Sequence, residues 1–82
     1  MPQNKSHQRL AKRAVKAVGG QKVLAELMSE YAEGVIQGHV SNWVNGVRDV
    51  SPYHAVAMEL ATGAVSRIDF HPKLFVGYKK AA

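Results

Sequence analysis

The sequence predicts an all-α domain of four to five short helices with a short, partly extended C-terminal tail. Three observations predict it. Apolar residues recur at helical rather than alternating spacing through most of the chain. Glycines at 19–20, 34, 46 and 63 divide that pattern into short segments. Ser51-Pro52 is a helix-start signal, because serine caps free amides and proline suits the first helical position. Eighty-two residues make one domain with a small core.

Residues 1–6 lack apolar residues for packing and are expected to fray. Leu10, Ala14, Ala17 and Val18 share a stripe, which predicts a first helix over 7–18, ended by Gly19-Gly20. Gln21 opens a second helix whose apolar stripe is Val23, Leu24, Leu27, Met28 and Tyr31, with small Ala25 admitting a close neighbour. No breaker occurs before Gly34, so this helix is expected to run on through Glu33. A third helix is predicted over 37–45 with Gly46 as its terminator, and residues 47–50 as a connection. The fourth begins at Ser51-Pro52, buries Tyr53, Val56, Ala57, Leu60 and Ala61, and ends at Thr62-Gly63. These pieces form a domain over 7–63. In the tail, 64–82, the rough alternation of Val65, Ile68 and Phe70 predicts an extended segment. His71-Pro72-Lys73-Leu74-Phe75 predicts one helical turn. Leu74, Phe75 and Tyr78 need cover from the domain or from a second copy of it.

The net charge is +5, and residues 1–22 carry Lys5, Arg9, Lys12, Arg13, Lys16 and Lys22 with no acidic residue. That balance favours an anionic partner. There is no cysteine, which excludes disulfides and thiolate metal sites. No apolar run approaches the roughly 20 residues that span a bilayer, and the polar, basic N-terminus does not resemble a signal peptide. A cytoplasmic protein without membrane contact is the expectation. The histidines at 7, 39, 54 and 71 lack the short spacings of metal motifs. No nucleophile has a visible base partner, and the glycines form no phosphate loop. Neither catalysis, a cofactor nor a small-molecule substrate is expected.

The third helix carries the unusual chemistry. Ile36, Val40, Trp43, Val44 and Val47 form its apolar stripe, and Trp43 is expected in the core. The other face holds Gln37, His39, Ser41, Asn42 and Asn45, with no charge. Solvated helix faces are usually built from Lys, Glu and Arg. Asn and Gln offer a donor and an acceptor together, which is what reading a base edge requires. A surface helix that happens to be rich in amides is the plainer alternative.

The layout of helix, Gly19-Gly20-Gln21, Leu24-Ala25-x-Leu27, loop, Val40-Ser41-x-Trp43-x-Asn45-Gly46 is that of a helix-turn-helix domain. It resembles the Cro/CI (lambda-repressor-like) class of phage repressors, and more closely the Cro-like, YdaS-like prophage regulators. Glu59-x-Ala61-Thr62-Gly63-Ala64-Val65 and Arg67-x-Asp69-Phe70-x-Pro72-x-Leu74-Phe75 extend the likeness, so that it spans 19–75. One departure stands out. The turn between the central helices is usually about three residues, and here it is roughly six residues longer. The reading adopted is a second helix longer by a turn or more, with Gly34 as the turn glycine. Glu30 and Glu33 are then expected to point away from nucleic acid.

The resemblance implies that Gln37 reaches a base from the start of the recognition helix. Ser41 and Asn42 are expected to share its face, His39 to be a further candidate, and Gly38 to let the backbone approach closely. It implies phosphate contacts at Gln21 and Asn45, to which the charges of Lys22 and Arg48 are added. Phe70, Leu74 and Phe75 are the candidates for a dimer contact. The function implied is a sequence-specific transcriptional regulator, a prophage Cro-like repressor that binds a palindromic double-stranded DNA operator as a homodimer. The alternative is an antitoxin-like interaction module that binds a toxin or another regulator. RNA binding is a weaker third reading, since single-strand readers usually expose aromatics.

Overall fold

The computed structural model describes residues 5–79. Among them are five helices and no strand: α1 (Lys5–Val18), α2 (Gln21–Met28), α3 (Gln37–Val44), α4 (Pro52–Thr62) and α5 (Arg67–Phe70). α2 packs against both α3 and α4, α1 lies across α2 and α3 and touches the other two, and α5 closes on α4. The expectations for residues 1–4 and 80–82 lie outside the described residues.

α1 begins earlier than the expected fraying N-terminus allows, at Lys5, because its buried stripe starts one turn earlier. That stripe is His7, Leu10, Ala11 and Ala14, at i, i+3, i+4 and i+7, and Ala17 is exposed. α2 buries Leu24, Ala25 and Met28, whereas Val23 and Tyr31 are exposed.

The long second helix is corrected. α2 stops at Met28, and residues 29–36 form a turn-rich connection. The Ser29 hydroxyl donates to the Glu26 carbonyl (2.6 Å), and the Tyr31 and Ala32 amides both converge on the Met28 carbonyl (each 2.9 Å). This tightening redirects the chain so that Ala32 and Val35 enter the core, and Gly34 turns it with φ +76°. The Glu33 amide donates to the Tyr53 hydroxyl (3.1 Å), tying the connection to α4. Glu30 and Glu33 are both exposed.

α3 buries Val40, Trp43 and Val44, while Ile36 and Val47, at the ends of the expected stripe, are exposed. Gly46 ends the helix with φ +72°, and the Gln8 side chain occupies the space beside it, donating to the Val44 carbonyl (3.0 Å). α4 starts as expected: the Ser51 hydroxyl accepts the His54 amide, with Pro52 first in the helix. Its buried face is corrected in part: Ala57 is buried and Ala61 packs on the core as expected, but Ala55, Met58 and Glu59 join Ala57 inside while Tyr53 and Leu60 are half exposed. Small Ala55 and Ala57 and flexible Met58 let α4 lie close to its neighbours.

The tail is corrected in its first part, which is not extended but helical at α5. The expected turn at 71–75 is present, within turns over 72–77, and the Leu74 and Phe75 amides return to the His71 carbonyl. Val65 and Phe70 are core residues, so the hydrophobic core does not stop at 63. Two polar clusters hold the tail. In one, buried Glu59 accepts the Arg67 amide (2.8 Å), the Arg67 Nε (3.0 Å) and the Tyr78 hydroxyl. The Arg67 guanidinium also lies over the Tyr78 ring, 4.3 Å from its centre. Burial pushes the Glu59 carboxyl up, but the hydrogen bonds from Arg67 and Tyr78 and the Arg67 charge together hold it below its ordinary value.

In the other, buried His7 accepts the Val50 amide at Nδ1 (3.0 Å) and donates from Nε2 to the Phe70 carbonyl (2.7 Å). His71 donates from Nε2 to the Val50 carbonyl (2.6 Å). Both polar groups of Val50 are thus taken by imidazoles, whose rings meet edge to face at 5.0 Å. The first helix, the segment before α4 and the tail are joined at this one residue.

Candidate nucleic-acid interface

α3 has two polar margins where one face was expected. An α-helix advances about 100° per residue. Gln37, Ser41 and Asn45 therefore follow one another along one edge, and the Asn45 amide donates to the Ser41 hydroxyl (3.1 Å). Gln37, Gly38 and Asn45 are exposed and Ser41 is half-buried. The expectation that Asn42 shares the edge of Gln37 is corrected, since five residues turn the helix about 140°. Asn42 instead lines a groove of about 460 Å³ with His39 and Trp43 of α3, Arg48 and Asp49 of the connection, and Ser51 and His54 at the start of α4.

His39 is half-buried and its Nδ1 accepts the Ile36 amide (3.2 Å), so the ring serves the first turn of α3 as a cap. It stacks on Trp43 with ring centres 6.5 Å apart, and His54 lies beside both, 5.2 Å from Trp43 and 6.1 Å from His39. Trp43 is 4% exposed, as expected of a core residue. Burial lowers the His54 pKa from its ordinary value, and repulsion from His39 lowers it further.

The residues expected at phosphate are dispersed. Gln21 is half-buried in the first turn of α2, and Lys22, Asn45 and Arg48 are exposed. Of the residues expected at a dimer contact, Leu74 is exposed and Phe75 half-buried. Phe70 is corrected: it is 3% exposed and packs edge to face on His7 inside the monomer (5.2 Å), which leaves it no surface to offer. Sequence reasoning missed His54 and Ser51 as groove residues. The capping serine was visible, but nothing in the sequence placed the next turn of α4 against His39.

Among the described residues no three His, Asp or Glu side chains gather where they could hold a metal ion, and no helix is long and apolar enough to cross a membrane. Fold and site together define a small all-helical domain that displays an uncharged amide row on one short helix. The chain belongs to the family described as bacterial toxin YdaS, whose model matches residues 11–78. No curated protein and no solved structure matches it.

Proposed function

We propose that the protein is a sequence-specific DNA-binding regulator in which α2 and α3 are the helix-turn-helix pair and α3 enters the major groove. It acts as a Cro-like repressor, bound as a homodimer to a near-palindromic operator, without cofactor or catalysis. One observation carries this reading: the row Gln37–Ser41–Asn45 on α3, uncharged and exposed at both ends, on a domain that also exposes the cations Lys22 and Arg48. Amides give such a row paired donors and acceptors, and the cations supply sequence-independent hold on phosphate.

The test is selection of a preferred duplex from a random pool, followed by fluorescence titration. Gln37→Ala should cost ~1–3 kcal/mol on the selected site and almost nothing on random duplex. A variant that keeps its full preference for the selected site would remove α3 as the reader.

The family's description as a toxin, with Leu74 and Val76 exposed on the tail, favours a second reading, an interaction module whose target is another protein. Growth on induced expression separates the two. If DNA binding causes harm, Gln37→Ala relieves it. If a protein contact causes it, Leu74→Ser with Val76→Ser relieves it and Gln37→Ala does not.

A further inference from the structure

The groove between α3 and α4 contains two imidazoles with unlike roles. At His39, Nδ1 accepts the Ile36 amide, so the neutral ring carries its hydrogen on Nε2. Protonating Nδ1 would break that cap. At His54, Nδ1 meets the Ser51 hydroxyl (2.8 Å), a group that can accept as well as donate. His54 can therefore gain a proton without losing its partner, whereas His39 cannot. In each ring Nε2 is left with no partner among the described residues.

The charges around His54 are few. From α3 it faces His39, from the connection Arg48 and Asp49, and from its own helix Tyr53, whose ring is 5.4 Å away. Arg48 and Asp49 carry opposite charges, so with His54 neutral the groove has no net charge. One proton on His54 makes it a cationic site holding Arg48, the Asn42 amide and two imidazole N–H groups. Tetrahedral oxyanions suit such a donor set.

We propose that this groove is a phosphate-binding site, built from Arg48, Asn42 and the Nε2 atoms of His39 and His54, that takes up a proton at His54 when phosphate is seated. The site stands on its own geometry. That the phosphate belongs to a DNA backbone rests on the reading given under Proposed function. Burial and, next, repulsion from His39 lower the His54 pKa in the free protein, which favours the neutral ring. A seated anion reverses that preference, and by linkage binding then strengthens as pH falls.

The experiment is fluorescence anisotropy with a short random-sequence duplex from about pH 7.5 to about pH 5.5, beside NMR of the histidine ring protons titrated with inorganic phosphate. The expected result is duplex affinity that rises by up to about tenfold per pH unit, the limit for one linked proton. His54→Gln should flatten that dependence. Arg48→Gln, an exposed change that spares the core, should weaken binding and reduce proton uptake. Duplex binding with the same pH dependence in wild type and His54→Gln overturns the proposal and leaves the DNA reading standing. No duplex binding, with inorganic phosphate moving the His54 signals, supports the site and overturns DNA as its source. Silence in both arms overturns the proposal.

Discussion

His7 shows what a single side chain can decide. It stands at the first position of the predicted first helix, outside the expected apolar stripe, yet it is 3% exposed and satisfies the Val50 amide and the Phe70 carbonyl together. His7→Leu keeps the bulk and removes both partners. Each orphaned group should cost ~1–3 kcal/mol, measured by chemical denaturation. A loss below about 0.5 kcal/mol, the range of an ordinary surface change, would show that water or another side chain replaces the imidazole. Glu59 should contribute to the acid limit. Its folded pKa lies below its unfolded value, so the unfolded chain binds the proton first. The stabilisation is therefore complete above the ordinary value of 4.5 and is lost as pH falls through the folded value. His54 adds the same sign at higher pH, because a base with a lowered folded pKa disfavours the native state as pH drops below 6.5. Melting temperature against pH should show a steep acid limb that Glu59→Gln flattens. An unchanged limb would assign acid unfolding to other carboxyls.

At the scale of helices, legibility followed the strength of local signals. The Ser51-Pro52 start, the Gly46 stop and the burial of Trp43 were all readable, because capping chemistry and bulk act where they stand. The connection 29–36 was not. Its residues are compatible with a helix, and what ends α2 is the tertiary gain from turning Ala32 and Val35 inward. The face of α4 was misjudged in part for a related reason: Tyr53 and Leu60 carry more apolar bulk than Ala55, but close approach selected the small residue. The polar margin of α3 was visible as composition, whereas its division into an outer row and a groove depends on where α4 lies. Trp43 tests the packing of these helices. Trp43→Ala should destabilise by ~3–5 kcal/mol. A variant that keeps its melting temperature but loses DNA binding would move the indole from the core to the interface.

For the molecule as a whole, the proposed DNA reading makes a demand on salt. Contacts from Gln21, Lys22, Asn45 and Arg48 should weaken with ionic strength, each neutralised phosphate adding about −0.9 to the log–log slope. Lys22→Ala should reduce that slope by about one unit on any duplex. A slope near zero would end the DNA reading. One such module covers too little DNA for a specific site, so a two-fold dimer with half-site centres ~34 Å apart is expected. Sedimentation showing one protomer on the selected duplex would refute it.

The imidazole clasp at Val50 also orders events in time. His7 and Phe70 are 63 residues apart, so their bond closes nearly the longest loop the described chain allows. Closing long loops is slow compared with local helix formation. α1 through α4 can assemble from near neighbours and bring His7 to the Val50 amide, but the bond to the Phe70 carbonyl that holds the imidazole in place forms only when α5 docks. The Val50 amide then reports, through the His7 ring, on the docking of α5, and its hydrogen exchange should be faster than that of the Met58 amide in mid-α4. Cutting the chain after Gly63 should not release a spare tail. It should leave His7 facing an empty seat and the whole domain only loosely closed.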